Sequence, residues 1–263
     1  MSILTLTTDW GQRDHYLGSF KGSLLVLMSS IQIIDITHDV EKFNTMQAAF
    51  LVQNTFRKFP PGTIHYIGIS GNENCSINKP YVIIRSCGQY LIGQDNGIFT
   101  LILGENEREI IRLPITVDDD YQTLNSCILH SIKGLTEGKF EELGERDTTI
   151  QESYFAQPSV DSKTIRGAIV YIDDFGNVIV NISKELYESE KRNRAFVIQL
   201  RTAEYNVFRI STSYEDADVG EMIAMFNEDG YLEISLNKGS AKQLLGLKFM
   251  DQIRIEFDDS KTG

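Results

Sequence analysis

The chain has 263 residues, 41% of them hydrophobic, and a formal net charge of -12. That length suffices for one large or two small domains with buried cores. The acidic excess, with no clustering of the basic residues, argues against nucleic acid as a partner, and no apolar stretch approaches membrane-spanning length. The start of the chain lacks the pattern of a signal peptide, and Cys75, Cys87 and Cys127 lack metal or redox spacing. A cytoplasmic protein with reduced, structural thiols and no membrane contact is therefore expected. In that setting the glycosylation sequons at Asn74 and Asn181 carry no weight.

In chain order, a short apolar run from Ile3 to Leu6 delivers a carboxylate into a glycine turn, Thr7-Thr8-Asp9-Trp10-Gly11. Helical spacing follows through Tyr16, Leu17, Phe20, Leu24 and Leu25, so the segment reads as strand, polar turn, helix. A carboxylate at such a strand end either caps the turn or faces a ligand, the usual place for one in an open α/β sheet. Further strands are expected at Ile31 to Ile36, Thr63 to Ile69, Tyr81 to Arg85 and Tyr90 to Ile92. Helices are expected from Asp14 to Met28, Thr45 to Arg57 and Ser126 to Thr136. Asn44 can cap the second helix, with Gln47 in the capping-box position and Met46, Ala49, Phe50 and Phe56 as its core stripe.

From Ile165 onward short strands follow closely: Ala168 to Ile172, Val178 to Ile182, Phe196 to Leu200, Asn206 to Ile210, Met222 to Met225, Tyr231 to Ser235 and Gln252 to Phe257. A brief helix, Ala241 to Leu245, interrupts them, and the charged run Lys184 to Arg194 reads as a solvated face or loop. The expectation is an α/β domain over 1–150, a linker over 151–164 and a small all-β domain, barrel or sandwich, over 165–263.

Polar loops gather around Asp9 and Asp14, at Asp35-Ile36-Thr37-His38-Asp39, at Gln94-Asp95-Asn96-Gly97 and at Asp173-Asp174-Phe175-Gly176-Asn177. His38 is either a general base or a structural hydrogen-bonder. His15 reads as exposed, while His65 and His130 have no evident partner in sequence. Asp95-Asn96-Gly97 and Phe175-Gly176-Asn177 also have a plain reading as hairpin turns. Phosphate-loop, dinucleotide, zinc-protease and nucleophile-elbow motifs are absent.

Taken in order, TLTTDWGQRDHYLGSFKG, IIDITHDV, FPPGTIHYI, QDNGIFT, YIDDFGNVIVNI and GYLEISLNKGSAKQLLG span roughly residues 3 to 257. This series resembles the S-adenosylmethionine (SAM) hydroxide adenosyltransferases, relatives of the bacterial fluorinase and chlorinase that attack C5′ of SAM. The resemblance implies a Rossmann-like N-terminal α/β sheet domain followed by a small C-terminal β-barrel-like domain. It also implies a homotrimer with intersubunit sites, SAM or adenosine as ligand, and neither cofactor nor metal.

Position by position, the resemblance makes Asp9 the clamp on both ribose hydroxyls and Phe43 the apolar wall beside the ribose. It puts Asp95 and Asn96 among the substrate-binding residues. Asn177 falls on the amide that reads the adenine edge, Phe175 and Tyr214 on the aromatics that sandwich the base, and Asp173 on the carboxylate that meets the methionine ammonium. Asn237 and Lys238 fall in the loop that offers backbone groups to adenine. Glu228 and Asp229 stand where a hydroxyl residue is expected near the methionine carboxylate; their side chains must turn away or the amino-acid end differs.

The water-using branch carries an Asp, Arg and His set that orients and activates water. Here Ser70 holds the Asp position, Asn78 or Lys79 the Arg position, and Tyr121 to Ser126 contain no histidine. Glu73 is a candidate replacement base, which makes Ser70, Glu73 and Asn78 the altered catalytic positions. A sulfonium leaves as a neutral thioether, so C5′ substitution needs an aligned nucleophile but no general acid. Three outcomes fit: a hydrolase giving adenosine and methionine, a catalytically silent SAM or adenosine binder, or an adenosyltransferase with a related nucleoside or another nucleophile.

Overall fold

The computed structural model describes residues 2–69, 79–116 and 119–262, and the chain divides into two compact units, Met1–Tyr154 and Phe155–Gly263. In the first unit, strands β1 (Ile3–Thr8), β2 (Gln32–Thr37), β3 (Ile64–Gly68), β4 (Tyr81–Ser86), β5 (Gln89–Gln94), β6 (Glu109–Arg112) and β7 (Glu145–Asp147) form one sheet in the order β2-β1-β3-β5-β4-β6-β7. The pairs β1/β2, β1/β3 and β3/β5 are parallel, and the rest are antiparallel. The helices are α1 (His15–Leu27), α2 (Thr45–Gln53), α3 (Ile98–Leu103) and α4 (Tyr121–Thr136).

Crossing from β2 to β3 on the other side of β1 creates a topological switch at the carboxyl end of β1, where a doubly wound sheet opens a crevice. Leu4, Leu6, Phe20, Leu24, Tyr66, Ile83 and Ile132 belong to the core beneath it. The β4–β5 turn is made by Cys87 and Gly88, both at positive φ, as a two-residue hairpin demands.

On the opposite face of β3 from Ile64 and Tyr66, His65 is a buried polar residue packed edge-on against Phe56 and Phe59. Its Nε2 lies 2.7 Å from Gln89 Oε1 and its Nδ1 2.7 Å from Thr5 Oγ1, while Gln89 Nε2 donates to the Phe59 carbonyl. Because Gln89 turns its amine to Phe59, its oxygen must accept from the imidazole, so the Nε2–H tautomer is fixed. Burial lowers the His65 pKa to about 4, against a smaller upward pull from Gln89.

Asn44 caps α2 through Gln47 N–H, as the sequence suggests, but Gln47 Oε1 accepts from Glu41 N–H rather than closing the box on Asn44. Asp95-Asn96-Gly97 is not a hairpin; it turns β5 into α3, with Gly97 at φ +90°.

The second unit is an antiparallel half-barrel. Strands β8 (Ser159–Val160), β9 (Thr164–Ile172), β10 (Val178–Ser183), β11 (Arg194–Gln199), β12 (Met222–Phe226), β13 (Tyr231–Leu236) and β14 (Gln252–Thr262) run in the order β11-β14-β9-β10-β13-β12, with β8 against β9. The charged run read as a solvated face or loop contains helix α5 (Lys184–Lys191), capped by Ser183 on Leu186 N–H and anchored by Tyr187, its one buried residue. Helix α6 (Ala241–Leu245) matches the expected segment.

The expected strand Asn206 to Ile210 is reduced to a single bridge. Val207 exchanges two hydrogen bonds with Ile198 of β11, and Ser211 N–H donates to Ala224 of β12. The segment is thus shared between two strand edges and pairs along neither.

Several residues within 151–164 have partners elsewhere in the chain. Gln151 N–H donates to the Asp95 carboxylate, Ser153 N–H donates to Thr100 Oγ1, and Ser159–Val160 pairs with β9. Among the described residues no helix is long and apolar enough to cross a membrane.

Candidate functional site

In the first unit, the turn after β1 sits among three parallel strand ends. Asp9 N–H donates to Gly68 at the end of β3 (3.4 Å), and Gly11 N–H donates to His38 just past β2 (2.7 Å). Asp9 is 6% exposed. Its Oδ2 accepts from Phe43 N–H at 2.9 Å, its backbone carbonyl accepts from Lys42 Nζ, and Trp10 packs edge-on against Phe20 and Tyr66.

Phe43 makes this bond from φ +64°, a left-handed conformation costly for a bulky residue. The following Asn44 cap and the Phe43 carbonyl, which accepts from Thr45 N–H, hold it there. Its ring is 64% exposed. Asp9 and Phe43 are therefore brought together, a buried carboxylate beside an exposed aromatic residue.

His38 is buried and serves the scaffold. Its Nδ1 lies 2.9 Å from Thr8 Oγ1, and its Nε2 lies 3.1 Å from Asp35 Oδ1 without the alignment of a hydrogen bond. Burial pushes the Asp35 carboxyl up, but Lys21 and His38 together hold it below its ordinary value. His15 is exposed against Tyr16, and His130 bonds the carbonyl of Ser126 on its own helix.

Asp95 is only 5% exposed, and both its oxygens accept from Gln151 N–H. Burial raises its carboxyl, with the backbone N–H groups of Gln151 and Gly97 opposing. Asn96 bonds backbone groups of Ile69 and Ile98. In the structure Asp95 and Asn96 thus shape the β5–α3 turn.

In the second unit, Phe175, Asn177, Tyr214, Leu236, Asn237, Lys238 and Gly239 line a cleft of about 460 Å³. The β9–β10 turn, Asp173 to Asn177, is closed by Gly176 N–H on the Asp173 carbonyl and by Asn177 N–H on Asp173 Oδ1. Phe175 is 79% exposed, Asn177 is 7% exposed, and Lys238, also in the lining, holds φ +56°.

Tyr214 donates to Glu233 Oε1 at 2.5 Å, and Ser235 Oγ donates to the same oxygen at 2.6 Å. Burial, with the Glu233 carboxylate, pushes the Tyr214 phenol up to about 12. Glu233, 6% exposed, was not singled out from sequence. Its signal was an acid in a buried strand, two residues from a serine on the same face.

Gly176 is required by close approach as well as by φ +82°. An added Cβ would lie 2.0 Å from Ser240 Oγ and 2.8 Å from Ser240 Cβ. Gly176→Ala is expected to cost about 1 to 2 kcal/mol of stability, read as a lowered urea midpoint with unchanged slope.

Residues 4–128 match the SAM hydroxide adenosyltransferase N-terminal domain, and residues 167–254 match the SAM hydroxide adenosyltransferase C-terminal domain. The chain belongs to the SAM hydroxide adenosyltransferase family. It is 27% identical over 267 residues to an (R)-S-adenosyl-L-methionine hydrolase from Methanocaldococcus jannaschii, covering 97% of this chain and 96% of that protein. A fluorinase from Actinopolyspora mzabensis is 21% identical over 290 residues, covering 96% of each chain. Among solved structures, a conserved protein from Thermotoga maritima superposes with a TM-score of 0.83 at 26% identity, covering 97% of this chain and 99% of that one.

Within this family the two acids Glu228 and Asp229 fall outside the cleft lining. They lie exposed at the tip of the β12–β13 hairpin, where Asp229 N–H and Tyr231 N–H both donate to Asn227 Oδ1. The cleft lining begins at Leu236, the other end of β13. Of the altered catalytic positions, Ser70, Glu73 and Asn78 lie outside the described residues. Lys79 follows them, and its carbonyl accepts from Gln94 Nε2. Tyr121 to Ser126 form the first turns of α4, capped by Asp120.

Proposed function

We propose that the protein binds SAM through its adenosine half and hydrolyses it at C5′ to adenosine and methionine. The observation that carries this reading is Asp9, a buried carboxylate at the switch point of the sheet, oriented by Phe43 N–H. Two carboxylate oxygens suit two adjacent ribose hydroxyl donors. The aromatic cleft of the second unit suits a purine face, with Phe175 and Tyr214 to stack and Asn177 to read the base edge.

In the reaction, water oxygen forms a bond to C5′ opposite the sulfur. The C5′–S electron pair returns to sulfur, methionine leaves as a neutral thioether, and the attacking water gives its proton to bulk solvent. The gain comes from alignment and exclusion of competing water. The segment from Ser70 to Asn78 is assigned to the nucleophile side, Asp173 to the methionine ammonium, Asn237 and Lys238 to the base, and the assembly to a homotrimer.

Incubation of pure protein with SAM, alone and with fluoride or chloride, followed by chromatography, tests this. Adenosine above the uncatalysed rate supports it. Without product in any condition, the enzyme reading falls. A second reading, a silent nucleoside binder, is favoured by Ser70 at the Asp position and by the histidine-free start of α4. Calorimetric binding without turnover would select it.

The two aromatic walls have separable roles. Tyr214→Ala should weaken adenosine binding about tenfold by removing a stacking face. Tyr214→Phe should stay within about threefold of wild type, while losing about 1 kcal/mol of stability at the buried Glu233. Calorimetry and chemical unfolding of the two variants read these effects.

A further inference from the structure

We infer that Asp173 is a positioning residue that fixes which end of the Asn177 amide faces the cleft, and thereby selects purines with an amino group over those with an oxo group. The inference rests on the proposed nucleoside site and deepens it.

Asp173 Oδ2 lies 2.9 Å from Asn177 Nδ2, and Asp173 Oδ1 accepts from Asn177 N–H at 2.8 Å. A carboxylate offers acceptors only, so the amide atom facing it must be the NH2 group. The opposite assignment would set two acceptor oxygens against each other in a residue that is 7% exposed. Asn177 Oδ1 is therefore left to the cleft that the residue lines, and it accepts from no protein donor among the described residues. The second amide hydrogen stays available beside it.

The cleft thus presents an acceptor flanked by a donor. Adenine offers the complement, an exocyclic amino donor next to the N7 acceptor. Hypoxanthine turns a carbonyl toward Oδ1 and leaves two acceptors face to face. A paired amide-to-adenine contact of this kind discriminates by about ten- to a hundredfold.

Asp173→Asn makes the argument directional. Asn177 N–H still needs an acceptor, so the introduced amide keeps its oxygen there and turns its NH2 toward the Asn177 side chain. Asn177 accepts from it only after a half-turn of its own amide, which then shows NH2 to the cleft. The variant should favour inosine over adenosine, or bind the two within about threefold.

The test is calorimetry with adenosine, purine riboside and inosine on the wild-type protein, and with adenosine and inosine on Asp173→Asn. These ligands carry no methionine, so a contact of Asp173 with the ammonium would leave their ratio unmoved. Supporting results are the wild-type order adenosine, purine riboside, inosine and a collapsed or inverted ratio in the variant. An unchanged ratio in the folded variant overturns the inference while leaving nucleoside binding intact. If the variant does not fold, the wild-type series alone decides: inosine binding as tightly as adenosine overturns it. Failure of the wild type to bind any of the three, together with SAM, removes the nucleoside site and the inference with it.

Discussion

Asp9→Ala is expected to weaken adenosine and SAM binding by a hundredfold or more, about 3 kcal/mol, because two hydrogen bonds to a charged group are lost together. The same change leaves Phe43 N–H without its 2.9 Å acceptor while that residue holds φ +64°, so the α2 approach should loosen. The stability loss should be only about 1 kcal/mol. Calorimetry with adenosine beside a urea titration separates the two effects. Asp9→Asn keeps one acceptor and adds a donor that a hydroxyl can meet, so it should fall between wild type and alanine. Binding by the alanine variant within a few-fold of wild type would remove Asp9 from the ribose.

Acidification should destabilise the first unit through His65 before most carboxylates titrate. The folded imidazole has its pKa lowered from 6.5 to about 4 by burial. Between those values the unfolded chain binds a proton that the folded chain refuses, so stability rises with pH across the window and is lost as pH falls. At about 1.4 kcal/mol per unit of difference, the loss reaches about 2 kcal/mol by pH 5 and about 3 kcal/mol in full. Unfolding of wild type and His65→Gln at pH 7 and pH 5 measures it. The variant should lose the slope, since glutamine can still meet Thr5 and Gln89 but takes up no proton; an equal slope in both proteins would place the acid sensitivity elsewhere.

Helix α1 was legible because its apolar residues recur at helical spacing, with Phe20 and Leu24 buried. Strand β1 and the closely spaced strands of the second half were legible as short apolar runs bounded by turns. Helix α3 was not, because Ile98 to Leu103 are all buried and an apolar run that short carries no period. Helix α5 was hidden for the opposite reason, with Tyr187 its one buried residue in a charged run. Asn206 to Ile210 has the composition of a strand, yet its backbone partners sit on two different strands, which composition does not encode.

At the candidate site the residue types were legible and their couplings were not. Asp9 stood out as a carboxylate at a strand end. That Phe43 N–H holds it, that Glu233 holds Tyr214, and that Asp173 turns the Asn177 amide are facts of tertiary approach. Glu228 and Asp229 show the converse. Adjacent in sequence to the cleft-forming strand, they belong to its far end because a strand carries its two ends about 3.3 Å further apart with each residue.

The tie between Asp95 and Gln151 bears on how the protein can be cut. A buried carboxylate that accepts from Gln151 N–H makes the residues after 150 part of the first unit's own interior balance. A fragment ended at residue 150 would take the Gln151 N–H from Asp95, leaving it the Gly97 N–H, and Thr100 Oγ1 would lose the Ser153 N–H as well. The first compact unit accordingly extends to Tyr154, past the backbone groups of Gln151 and Ser153 that it captures.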